Sequence, residues 1–120
     1  MKKIELFEHA IEIKADNLPE LGICPAAFWA YRKSCDAENT LINFDDVVWE
    51  EDIPAIAKTF NLAGIVEFTV SSTFSGLIPV LAEFEKHGFK MAGLTEVNAN
   101  YTDYMTGKRE HIPAIRMLKY

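Results

Sequence analysis

Ser71, Ser72, Thr73, Phe74, Ser75 and Gly76 set a run of hydroxyls and a glycine directly before an apolar segment that begins at Leu77. If that segment is a helix, its free backbone N–H groups converge with the hydroxyls at the positive end of the helix dipole. A phosphate or carboxylate is stabilised in such a place. Lys108, Arg109 or His111 folded over the turn would add charge-assisted hydrogen bonds. Serine and threonine are also the ordinary capping and turn residues, which satisfy orphan donors with no ligand present. Neither a P-loop lysine nor a Gly-x-Gly-x-x-Gly pattern occurs.

The stretch 98–111 gathers Asn98, Asn100, Tyr101, Asp103, Tyr104, Lys108, Arg109, Glu110 and His111. A connection of that length without structure of its own is more often functional than a mere link, and Tyr and Arg dominate binding hot spots. A long hairpin turning at Thr106-Gly107 accounts for the same residues equally well. The candidate ligand-binding set is therefore Ser72, Thr73, Ser75, Gly76, Tyr101, Asp103, Lys108, Arg109 and His111. His111 oriented by Asp103 beside a turn hydroxyl would make a Ser/His/Asp set on paper, the basis for a small hydrolase or transferase as the alternative to pure binding. No Gly-x-Ser-x-Gly elbow supports it, so no catalytic residue is assigned.

Asp45, Asp46, Glu50, Glu51 and Asp52 form an acidic run around Trp49. No EF-hand spacing is present, and acids before a helix N-terminus are explained by the dipole, so no metal is expected. A tryptophan among carboxylates can dock on a basic partner, but is more often a core residue. Cys24 and Cys35 lie on one helix face about 16.5 Å apart along the axis, too far for a disulfide. They are expected to be reduced, buried core thiols of a cytoplasmic protein. No cofactor motif is found.

The elements that must hold these residues follow from periodicity. Ile4, Phe7 and Ile11 predict an amphipathic helix over 3–16, broken at Asn17-Leu18-Pro19. Pro25 suits the first turn of a second helix, with Cys24, Ala27, Phe28, Tyr31 and Cys35 inward. Residues 40–44 read as either a short strand or an extended lead-in. Asp52 is an N-cap candidate for a third helix, about 53–62, ended by Gly64. Val66, Phe68 and Val70 then alternate with Glu67, Thr69 and Ser71, which predicts a strand over 65–71. Pro79 fixes the start of the next helix near Ser75 or Gly76, and His87-Gly88 ends it. Strands over 89–97 and 112–120 close the chain, joined by the polar connection.

The order α-α-α-β-α-β-β in one domain spanning 1–120 gives an α+β fold, with N-terminal helices packed on a small mixed sheet. The strand-helix-strand unit makes strands 65–71 and 89–97 parallel, so the Ser71–Gly76 turn and the 98–111 connection share one sheet edge. The chain has 120 residues, 49% apolar, with 12 basic against 18 acidic residues and a net charge of −6. That charge opposes nucleic-acid binding by counterion release. The longest apolar stretches fall far short of the ~20 residues that cross a bilayer, and Glu5, Glu8 and Glu12 interrupt any signal-peptide core.

The segments Phe68 to Leu77 (FTVSSTFSGL), Leu81 to Phe84 (LAEF), Gly88-Phe89, Gly93 to Asn98 (GLTEVN), Tyr101 to Asp103 (YTD), Thr106-Gly107 and Ile112 to Ala114 (IPA) resemble small proteins of unknown function encoded on bacterial mobile elements. The resemblance covers the C-terminal half and implies a cytosolic accessory protein with no assigned activity. The expectation is a non-enzymatic binding module that uses the shared edge for a protein partner or a small anion. The unpaired sheet edges also leave room for a homodimer. A further alternative is an acidic decoy whose contact is the 45–52 run.

Overall fold

The computed structural model describes residues 3–45, 48–71, 76–102 and 105–120, with backbone alone for 100–102. Helix α1 is Glu5–Glu12, α2 is Pro25–Asp36, α3 is Ile53–Ala63 and α4 is Leu77–Lys86; the strands are β1 Asn43–Phe44, β2 Glu67–Ser71, β3 Phe89–Thr102 and β4 Arg109–Lys119. The fold is α+β. Helix α1 stops earlier than its apolar spacing suggests, because Lys14 turns into the left-handed region at φ 52°. Residues 40–44 resolve into a two-residue strand. Asp52 does precede α3, but its side chain makes no capping bond, since a 3₁₀ turn at Glu50–Asp52 leads straight into the helix.

The four strands lie in the order β1-β2-β4-β3. β2 and β3 are each antiparallel to β4, so they run parallel to one another with β4 between them, while β1 is parallel to β2. Pro113 sits within central strand β4 without costing a ladder bond. The β2 register ends at Ser71 opposite Ala114, one residue short of Pro113. A proline is tolerated where its missing N–H has no strand to face.

Phe68 and Val70 face a core of rings: Phe68 lies 4.8 Å from Phe84, 5.1 Å from Phe60 and 5.2 Å from Phe89, with Phe44 against Phe60, Phe68 and Phe84. These contacts put α3 and α4 on that face. The opposite alternation, Thr69 and Ser71, is buried as well. Asn43 explains how: its Nδ2 donates to Ser71 Oγ (2.9 Å), its Oδ1 accepts from Thr69 Oγ1 (2.8 Å), and its backbone N–H donates to Ser34 Oγ (2.8 Å). Helix α2 supplies Ser34, and it buries Ala27, Phe28, Ala30, Tyr31 and Ser34. That inward strip leaves Cys24 half-buried and Cys35 exposed, which corrects the expectation of two core thiols. The strip runs through 27, 30, 31 and 34, so Cys35 falls on its flank. Phe7 of α1 stacks on Tyr31 at 4.9 Å and meets Phe28 edge-on, fixing α1 to α2.

Candidate functional site

β2 and β3 have their C-terminal ends at the same edge of the sheet, while residues 72–75 of the predicted 71–76 turn lie outside the described residues. The 98–111 segment is not a loose loop. β3 runs on to Thr102 and β4 begins at Arg109, so most of the connection is ladder. Residues 109–113 of β4 pair with β3 beyond the last residue of β2. At ~3.4 Å per residue they form a two-stranded ribbon standing roughly 17 Å clear of the β2 end. Between the pairs Asn98↔His111 and Thr102↔Arg109, β3 carries extra residues, an irregularity of the kind that bends and re-aims a ribbon.

The predicted site residues separate along this ribbon. Gly76 is the N-cap of α4, in the left-handed conformation at φ 72°. His111 is exposed on β4 opposite Asn98, and Lys108 is exposed near the tip, its N–H donating to Thr106 Oγ1 at 3.3 Å. Tyr101 lies in β3 next to the last ladder pair. Ser72, Thr73, Ser75 and Asp103 lie outside the described residues. Arg109 is committed within the chain: its guanidinium donates to Ala99 O and to Asp36 O, both at 3.1 Å. One side chain thus ties the ribbon to the C-terminal end of α2, where the last carbonyls of a helix favour a cation.

A second clamp escaped sequence reasoning. Asn39, just beyond α2, is buried, and its carboxamide takes both backbone groups of Asn98: Nδ2 donates to Asn98 O (3.0 Å) and Oδ1 accepts from Asn98 N–H (2.8 Å). Asn98 Nδ2 returns a bond to Ala37 O at 3.1 Å. Asparagine in a post-helical turn is too common a pattern to have flagged this role.

Among the described residues no three His, Cys, Asp or Glu side chains come together as a metal site requires, and no helix is long and apolar enough to cross a membrane. Asp46 of the acidic run lies outside the described residues; Trp49 is exposed rather than in the core. A cavity of about 790 Å³ lies at the opposite end of β2, where Ile4, Leu6, Ile42, Leu62, Ile65 and Val66 line a groove together with Lys3, Glu5 and Glu67. Near it, Tyr31 Oη accepts from Ile4 N–H (3.3 Å) and donates to Glu8 Oε1 (3.2 Å). Burial pushes the Tyr31 phenol up to about 12, against the pull of the Ile4 N–H and with the help of nearby Cys35 and Glu8.

A family model described as "Domain of unknown function (DUF7698)" matches residues 26–119. The chain belongs to that family. The DUF7698 match takes in α2 and α3 together with the C-terminal half, so the family likeness is wider than the segments from Phe68 onward, and α1 falls outside it. Both clamps on the ribbon, Asn39 and Arg109, are within the matched residues. No curated protein and no solved structure matches the chain.

Proposed function

We propose that this chain is a non-catalytic accessory protein that binds a protein partner through the β3–β4 ribbon and the adjoining edge of β3. The observation that carries the reading is the ribbon's extension past β2. A two-stranded ribbon is marginal in water unless something holds it, and here Asn39 and Arg109 tie it to α2 and the turn after it. Those bonds preorganise the projection, which lowers the entropy lost on association. Met105 near the tip is 86% exposed, and Leu94 on β3 is 78% exposed, so the surface offers apolar area both at the tip, next to the exposed Lys108, and on the edge of β3.

The test is photo-crosslinking in cells that produce the chain. A photoreactive residue at Met105 or Leu94 captures a defined partner, while the same residue at Leu62 in the far groove does not. Equal capture at Leu62, or no capture at either Met105 or Leu94, overturns the reading.

A further inference from the structure

The ladder register of β3 identifies which backbone groups are open to a partner. Asn39 takes both the N–H and the C=O of Asn98, so those groups point away from β4. The pair Asn98↔His111 is therefore a non-hydrogen-bonded one, and alternation makes Glu96↔Pro113 and Leu94↔Ile115 the same. Pro113 fits this assignment, since it has no N–H to give. Leu94 and Glu96 thus direct their N–H and C=O outward along the sheet edge, and both residues are exposed. Two features bound the open segment. On one side Asn39 closes the edge at Asn98, and on the other the register shift between Met91 and Gly93 breaks the ladder at Ala92.

We propose that residues 93–97 of β3 pair antiparallel with the same residues of a second copy of this chain, joining two sheets into one across a twofold axis at Thr95. This rests on the β3 edge being the binding surface, and it names the partner. The register follows by elimination. Centring the axis on Glu96 sets two glutamates directly opposite and runs Leu94 into Asn98, whose edge is already taken. Centring it on Leu94 runs Glu96 into the irregular Ala92. Centring it on Thr95 pairs Leu94 with the partner's Glu96, so that the outward residues exchange N–H···O bonds in both directions. The same register sets Thr95 against the partner's Thr95 and Gly93 against the partner's Val97. In that register the blocked Asn98 falls opposite the broken ladder at Ala92, so the two interruptions coincide and neither copy obstructs the other. Cross-strand threonine pairs are favourable, and the two Leu94 side chains become diagonal neighbours on one face. Glu96 and its copy take the other diagonal, and the segment is short, so association is weak, in the micromolar range or above.

The experiment uses the full chain and reads association by sedimentation velocity from ~10 to ~500 µM, a span suited to a small interface. Amide hydrogen exchange at the two ends of that range is measured alongside. The expected result is a concentration-dependent monomer–dimer shift. Leu94 and Glu96 amides gain protection as concentration rises, while the Asn98 amide, bonded within its own chain, is protected equally throughout. Glu96→Pro removes only an outward N–H and weakens dimerisation about tenfold or more, as losing a symmetric pair of backbone bonds requires. Glu96→Gln, which lifts the diagonal repulsion, tightens it. Because a proline variant can lose its fold, Thr95→Cys in a background with Cys24→Ala and Cys35→Ala supplies a second test. A narrow antiparallel pair brings Cα atoms within disulfide range, so this variant oxidises to a covalent dimer.

A chain that stays monomeric with fast Leu94 and Glu96 exchange at every concentration overturns the pairing. If the crosslinker at Leu94 then captures a different protein, the binding-module reading stands and only the identity of the partner fails. If neither it nor the crosslinker at Met105 captures anything, both fall.

Discussion

The Asn39 carboxamide occupies the place of a neighbouring strand beside Asn98, accepting its N–H at 2.8 Å and donating to its carbonyl at 3.0 Å. An edge strand presents a row of unpaired groups that other chains can extend, and a buried side-chain amide closes that row at one residue. Asn39→Ala removes both bonds and leaves the Asn98 backbone without them. The expected cost is about 1–3 kcal/mol in denaturant unfolding, with faster exchange of the Asn98 amide. Asn39→Asp keeps the acceptor for that N–H but loses the donor to the carbonyl, so it restores amide protection while recovering only part of the stability.

Arg109 serves the same ribbon from its other strand. Its two bonds end on carbonyls of separate elements, Ala99 in β3 and Asp36 at the end of α2. The planar fork of arginine reaches both at once, which the single ammonium of lysine does not. Arg109→Ala and Arg109→Lys are therefore expected to loosen the ribbon with only a small loss of global stability, about 0.5–1.5 kcal/mol. Exchange of ribbon amides rises several-fold in both variants while amides of β2 are unchanged. Uniform loss of protection through the sheet would show instead that Arg109 supports the whole fold.

Tyr31 gives the protein an alkaline weakness. Its folded pKa is raised from 10.0 to about 12, chiefly by burial. A raised value means that the native state holds the phenolic proton more tightly than the unfolded chain does. The contribution is complete below pH 10 and is lost as the pH climbs from 10 towards 12. Urea midpoints measured across that window should fall, and Tyr31→Phe should flatten the fall at the expense of the Ile4 and Glu8 contacts. The tyrosinate absorbance that Tyr31→Phe removes should rise only as the pH passes 10 towards 12.

Much of this was legible in the sequence because periodicity reports burial. The spacing of Ile53, Ile56, Ala57 and Phe60, and the alternation of Phe68 with Val70, located α3 and β2, and strand order alone placed the β2 and β3 ends at one edge. Alternation does not report what the second face of β2 meets. Thr69 and Ser71 are buried against Asn43, because a hydroxyl can be buried at little cost once it has a partner. Polarity left 98–111 readable equally as a loop or as a long hairpin, and its strands run to Thr102 and from Arg109. A ribbon that leaves the sheet has water on more than one side, so its strands lose the apolar alternation by which strands are recognised. Asn39 and Arg109, which hold it in place, bind backbone atoms distant in sequence, and no local pattern encodes such contacts.

The Asn43 network supplies the sharpest test of that last point. Its side chain holds Thr69 and Ser71, and its backbone N–H is held by Ser34, so three elements meet at one short strand. Asn43→Ala strips the carboxamide and leaves two buried hydroxyls facing a small void, with Thr69 keeping only its longer 3.4 Å bond to Ile42 O. A loss of about 2–4 kcal/mol is expected from the unsatisfied hydroxyl and the cavity together. Ser71→Ala alone costs less, because Asn43 retains its bond from Thr69. The double variant Asn43→Ala with Ser71→Ala should be more stable than the sum of the two single losses predicts, since the second change removes the group that the first left stranded. Strict additivity in chemical denaturation would mean that Asn43 acts by shape alone, and that the hydrogen bonds joining β1 to β2 contribute little to the fold.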